Sequence, residues 1–165
     1  MPDARLPTTA PQPGRRAPRL PPLAVAPLAA AMSWLAAWAA PSLAFDFPGR
    51  AVLALLLVAA AVSVGLAGVV AFRRARTTVN PLQPERASAL VTGGIYRHTR
   101  NPMYLAVATM LLAWGLWLGN ALGPLGAVLF VAWMDRLQIP PEERALAALF
   151  GEEFERYRRE VRRWL

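Results

Sequence analysis

Three stretches of this sequence carry no formal charge, residues 20–45, 51–72 and 101–134, and they limit the possible folds more than any other feature. A helix needs about 20 apolar residues to cross the hydrocarbon core of a bilayer. The first two stretches fit one span each. The third is too long for one span, and Gly119, Asn120, Gly123 and Pro124 interrupt it near its middle. Read as a hairpin, it predicts one helix over roughly 102–118 and another over roughly 124–139. The expected fold is an all-α membrane protein with about four transmembrane helices in two hairpins. A chain of 165 residues with 56% hydrophobic and 17% charged residues fits that class.

The placement of arginine predicts the orientation. Arg5, Arg15, Arg16 and Arg19 precede the first stretch, and Arg73, Arg74, Arg76, Arg86, Arg97 and Arg100 stand between the second and third against Glu85. The tail from Arg136 onward is also charged. The 46–50 connection holds only Asp46 and Arg50, and the 119–124 turn holds no charge. The positive-inside rule then puts both termini and the 73–101 segment on the cytoplasmic side, in a composition that suggests a bacterial inner membrane. Residues 1–21 are rich in proline and arginine and are expected to be disordered. Arg15-Arg16 before an apolar run could mimic a secretory signal ending near Leu43-Ala44. That run exceeds a usual signal core, and its loss would leave an odd number of spans.

Charge and metal-binding residues exclude other classes. The net charge is +8, every basic residue is arginine, and these arginines are split among membrane-proximal segments. They suit anionic lipid better than nucleic acid. With no cysteine and His98 alone, no disulfide or multi-histidine metal site is expected. Gly65-x-x-Gly68 permits close helix contact and leaves the oligomeric state open.

Two polar segments flank the predicted hairpin 102–139. In the first, Pro81 and Pro84 disfavour a continuous helix. Gly93-Gly94 precedes Ile95-Tyr96, and a glycine pair beside a helix start at Pro102 makes either an ordinary turn or an anion cradle. The second segment predicts an amphipathic helix over 141–163. Pro140-Pro141 ends the fourth span there, and Glu142 and Glu143 complement the new helix's dipole. Leu146, Leu149, Phe150, Tyr157 and Val161 recur at helical spacing. Arg158, Arg159, Arg162 and Arg163 suit anionic headgroups. Because the hairpin returns to the side from which it started, YRHTRNPMY and Asp135, Arg136, Glu142 and Glu143 are expected to lie close together. Arg136, near a span end, either serves a site or snorkels to the headgroups.

Gly94, Tyr96, Arg97, Arg100, Asn101, Pro102 and Tyr104 form one motif, and Glu142, Glu143, Leu146, Phe150, Gly151, Phe154 and Tyr157 a second beyond the hairpin. Together they resemble the isoprenylcysteine carboxyl methyltransferase family, which is related to phospholipid N-methyltransferases. The resemblance covers about residues 70–165. It implies an integral membrane enzyme that uses S-adenosyl-L-methionine and releases S-adenosyl-L-homocysteine. A transmembrane hairpin, 22–72, would precede a cofactor-binding region, 73–165. The resemblance puts Gly94, Tyr96, Arg97, Asn101, Pro102 and Tyr104 along one wall of a cytoplasmic pocket. Glu142 would meet the cofactor's ammonium with Glu143 in support, and Leu146 and Phe150 would pack near the adenine. Arg136 resembles the family arginine beside the methyl acceptor, which would enter sideways from the lipid bilayer. One departure stands out. Eukaryotic members carry histidine where this chain has Asn101, and asparagine hydrogen-bonds but cannot titrate.

Methyl transfer from a sulfonium is an in-line displacement governed by positioning. A carboxylate acceptor is already nucleophilic at neutral pH and needs only an orienting guanidinium. An amine acceptor must lose a proton, and the nearest bases are Glu143, Asp135 and His98. The expectation is therefore carboxyl O-methylation of a lipophilic acceptor. The alternatives are phospholipid N-methylation, or a non-enzymatic scaffold that binds anionic lipid.

Overall fold

The structure, a computed structural model, describes residues 22–75 and 89–165. Segment 1–21 and the pair Pro81 and Pro84 lie outside the described residues. Those described are helical and form no named strand. The helices are α1 (Pro22–Ala39), α2 (Arg50–Arg74), α3 (Pro102–Leu118), α4 (Leu125–Trp133), α5 (Ile139–Phe150) and α6 (Glu152–Glu160). The four apolar stretches predicted as spans fall on α1 to α4. Of the described helices, α2 meets the length and apolar composition needed to cross a membrane, with 25 residues and a mean hydropathy of 2.6; Ala24–Ala39 and Pro102–Leu118 are shorter apolar helices.

The helices pack through small residues. On α2 the buried positions are Ala54, Ala61 and Gly68, seven residues apart along one stripe, and this helix packs chiefly against α3. A side chain at Gly65 would meet Ala106, and one at Gly68 would meet Met103 and Pro102, each at 3.5 Å. The glycine pair that left oligomerisation open is thus used inside the chain. The large residues of α2 point outward, with Leu55, Leu56 and Leu66 each about three-fifths exposed. Such close approach of backbones maximises dispersion contact without large side chains between the helices.

Helix α1 packs on α4 in the same way. Ser33 Oγ accepts from the Gly126 amide at 2.9 Å, which satisfies one of the free N–H groups in the first turn of α4. Gly126 makes this possible, because a Cβ there would run into the Ala29 carbonyl. Around that contact Val25, Ala29, Tyr104, Ala108, Leu111, Ala127, Phe130, Met134 and Ile139 form the main core.

One end of the bundle is closed by side chains that cap helix carbonyls. Arg50 Nη1 donates to the carbonyls of Leu116 (3.1 Å) and Trp117 (2.6 Å), while its Nε meets Asp46 at 2.8 Å. The buried Asn120 donates its amide to the carbonyls of Ala40 (2.8 Å) and Ala37 (3.4 Å). Phe45 and Ala121 complete the stitch by backbone bonds to Gly119 and Leu43. The two short connections are therefore one layer, and the described parts of both polar segments lie at the opposite end.

Two boundaries differ from the sequence expectation. Pro140-Pro141 does not end the fourth helix. A π turn over Met134–Gln138 joins α4 to α5, so the chain stays helical through both prolines. In α-helical geometry the Pro140 ring would clash with the Arg136 carbonyl; the wider π turn just before it relieves that conflict. The single helix over 141–163 is also divided. Gly151, at φ 51°, breaks it into α5 and α6, and the chain leaves helical geometry after Glu160.

Asn120→Ala would leave the α1 carbonyls without their donor, and Arg50→Ala would do the same for α3. Each is expected to cost about 1–3 kcal/mol, the usual penalty for stranding such groups. Asp46→Ala, at an exposed ion pair, should change stability little. Thermal unfolding of the three variants in one detergent checks this ordering.

Candidate active site

At the polar end three segments meet: the turn before α3, the π turn with the start of α5, and the tail after α6. The first begins at Gly94, whose φ of 62° favours glycine and starts a 3-10 turn over Gly94–Arg97. This turn buries Tyr96 and leaves Gly94, Arg97 and His98 exposed. The Tyr96 ring meets Phe72 edge-on at 5.4 Å and packs with Phe154 and Tyr157. The Tyr157 hydroxyl donates to the Tyr96 carbonyl at 2.7 Å. Burial pushes both phenols above their ordinary pKa, so both stay neutral. Leu146 and Phe150 pack against this aromatic cluster.

Beside it lies a polar cluster built on two adjacent carboxylates. Glu142 Oε1 accepts from the Tyr104 hydroxyl at 2.7 Å and from Gln138 Nε2 at 2.5 Å. Glu143 Oε1 accepts from Arg100 Nη2 at 2.7 Å and from Arg163 Nε at 3.2 Å, and its Oε2 accepts from Arg163 Nη2 at 2.7 Å. Arg163 Nη1 reaches on to Asp135 at 3.0 Å, and the Trp164 indole N–H donates to the same Asp135 oxygen at 3.1 Å. Burial alone would raise the Glu143 carboxyl, but hydrogen bonds from Arg163 and Arg100 outweigh it and hold it below its ordinary value. A carboxylate held in this way is a poor proton acceptor.

The tail is fixed by donors from the turn before α3. Arg100 Nη1 donates to the carbonyls of Arg158, at 3.0 Å, and of Val161, and the Arg100 amide donates to Arg162 O at 3.0 Å. Thr99 Oγ1 and Asn101 Nδ2 both donate to Arg163 O, at 3.2 and 3.1 Å. The amide that replaces the family histidine is thus committed to the tail.

The structure brings Asn101, Pro102, Tyr104, Glu142 and Glu143 around this cluster. Tyr96, Leu146 and Phe150 stand in the neighbouring aromatic cluster. Gly94, Arg97 and Arg136 lie on the surface, so the expected single wall from Gly94 to Tyr104 is divided between two environments. Sequence reasoning missed Thr99, Gln138 and Trp164, and it assigned Arg163 to headgroups rather than to Glu143 and Asp135. Gln138 and Glu142 are four apart on a helix, a spacing that signals contact. Nothing in the pattern links Arg163 to a residue 28 positions earlier.

Arg100 Nε is buried and meets no acceptor among the described residues. An unsatisfied guanidinium donor close to two glutamates fits a ligand that carries both a carboxylate and an ammonium group. Among the described residues no group of three or more His, Asp or Glu side chains is placed to hold a metal ion. An apolar cleft of about 400 Å³ opens between α1, α2 and α3, lined by Ala26, Ala30, Ala61, Val62, Met110 and Trp114 among others.

A sequence model described as phospholipid methyltransferase matches residues 49–153. The chain belongs to that family, which falls within the isoprenylcysteine carboxyl methyltransferase-like superfamily. It is also similar to an uncharacterized protein of Haemophilus influenzae, at 49% identity over 63 residues, which are 38% of this chain and all of that protein. No solved structure matches the chain.

The Glu143 pKa is lower in the folded chain than in the unfolded one. Its contribution to stability is therefore present above the unfolded value of about 4.5 and is lost as pH falls through the lowered folded value. Thermal midpoints measured from pH 7 down to pH 3 should fall more steeply for the wild type than for Glu143→Gln, which has no carboxylate there to protonate.

Proposed function

We propose that this protein is an integral membrane, S-adenosyl-L-methionine-dependent methyltransferase acting on a lipophilic acceptor, and that the acceptor atom is a carboxylate oxygen. Membership of the phospholipid methyltransferase family supports methyl transfer. The packing of α2, with alanine and glycine buried and leucine exposed, supports a lipid-facing surface, because a water-soluble bundle would reverse that arrangement. In this reading α1, α2, α3 and α4 with the π turn that continues it are the four spans, and the polar end with both termini faces the cytoplasm of a bacterial inner membrane.

The residues present fit the cofactor. Glu142, set by Tyr104 and Gln138, would hold its ammonium, and Arg100 has a donor to spare for its carboxylate. Leu146 and Phe150 would offer apolar surface to the adenine. When bound, the cofactor supplies a methyl group on a sulfonium, which departs with the sulfur–carbon bond electrons left on sulfur.

One observation carries the choice of acceptor: Glu143 is clamped by two guanidiniums. Asp135 is likewise engaged by Arg163 and Trp164, and His98 is exposed on the surface. The two carboxylates that could serve an amine acceptor as base are thus committed elsewhere. A carboxylate acceptor needs no base, only a cation to orient it, and the exposed Arg136 on the π turn would supply one from the membrane side. The apolar cleft between α1, α2 and α3 would accommodate part of its hydrocarbon chain. Phospholipid N-methylation is the second reading, favoured by the description of the matching family.

Calorimetry of the full chain in nanodiscs should show S-adenosyl-L-homocysteine binding that Glu142→Ala weakens at least tenfold. Incubation with methyl-labelled cofactor and bacterial lipid extract should then yield label released as methanol by mild base, the mark of an ester. Base-stable label on a lipid amine would select the second reading. A folded wild type that binds no cofactor would leave a lipid-binding scaffold.

A further inference from the structure

The residues matched by the family sequence end at 153, yet Arg163 and Trp164 reach into the centre of the polar cluster. We propose that Arg163 is a positioning residue of the site: it acts through Glu143 and Asp135 to set the π turn that aims Glu142. The inference rests on the methyltransferase reading above.

The geometry is specific to a planar, forked cation. All three Arg163 nitrogens are used, Nε and Nη2 on Glu143 and Nη1 on Asp135. Asp135 lies within the π turn and Glu143 lies in α5 after it, so one guanidinium spans the bend. Gln138, the last residue of the π turn, donates to Glu142. A change in the turn therefore moves the donor that orients Glu142. Lysine would keep the charge at 163 but could not hold both carboxylates in fixed geometry.

A tail that merely held α6 down would not need this arrangement. The Glu143 and Arg100 side chains are only 13% and 11% exposed, so the centre of the cluster is buried, while Arg163 and Asp135, at 31% and 37%, form its half-buried rim. Both Glu143 oxygens are filled, and Arg100, Thr99 and Asn101 all donate to tail carbonyls. Trp164 packs against the main core, which includes Met134, the first residue of the π turn, and Ile139, the residue that follows it. The tail is thereby fixed from both sides, as a positioning group requires.

The test measures S-adenosyl-L-homocysteine affinity of the full chain in nanodiscs, well below each variant's thermal midpoint. Arg163→Lys should keep a near-wild-type midpoint and bind at least tenfold more weakly. Asp135→Asn, a milder change, should lose several-fold. Because Arg163 acts through Glu143, the double variant Arg163→Gln with Glu143→Gln should lose no more than the worse single variant. Wild-type affinity in Arg163→Lys overturns the proposal, as do losses that multiply in the double variant. So does affinity that falls only in step with the midpoint, since that marks a structural staple. Absence of binding by folded wild type fails the methyltransferase reading itself, and with it this role for Arg163.

Discussion

The Glu143 carboxylate is where the parts of the functional end are joined. Arg100 comes from the turn before α3, Glu143 from α5 and Arg163 from the tail, and beside the aromatic cluster that packs these segments together one carboxylate joins all three. Desolvating such charges is costly, and the arrangement survives because each Glu143 oxygen meets at least one N–H and because Asp135 shares the second guanidinium. Removing one partner would strand the others in a half-buried setting. The cluster thus couples the tail, the π turn and the start of α3, and any site built on those three elements inherits its geometry.

The helices beneath follow a different rule. Alanine, glycine and serine face one another, as Ala29, Ser33 and Gly126 do between α1 and α4, while leucine and tryptophan face outward. Close backbone approach holds α1 to α4 and α2 to α3 through small residues, around a core of larger ones such as Phe130 and Met134. It also leaves backbone polar groups at helix ends within reach of side chains from neighbouring helices, which is how Ser33, Arg50 and Asn120 satisfy them. The end held by Arg50 and Asn120 carries no candidate chemistry, and the end held by Glu143 carries all of it.

For the proposed function this division would be useful. The apolar part would face hydrocarbon, while the charged end would gather the groups that recognise a polar cofactor. The commitment of Glu143 and Asp135 to arginine bears on mechanism. Groups so engaged orient and bind, and Glu143, held below its ordinary pKa by its two arginines, does not accept a proton readily. A reaction that relies on positioning alone suits such a site better than one that must first remove a proton.

Much of the helical architecture was legible in the sequence. Uncharged runs of about 20 residues mark helices α1 and α2, and Gly119, Asn120, Gly123 and Pro124 mark the turn between α3 and α4, because backbone chemistry acts locally. The nearness of Asn101, Tyr104, Glu142 and Glu143 also followed, since a hairpin must return to the side from which it began. Tertiary structure decided the rest. The π turn that carries the helix through Pro140-Pro141 was not legible in the sequence, because a proline pair can equally end a helix. The break at Gly151 sends the tail back across the site, where Arg163 meets Asp135 and Glu143. An arginine in a run of arginines looks the same whether it faces water, lipid or a buried carboxylate; only the folded chain determines which, because partners remote in sequence set its environment.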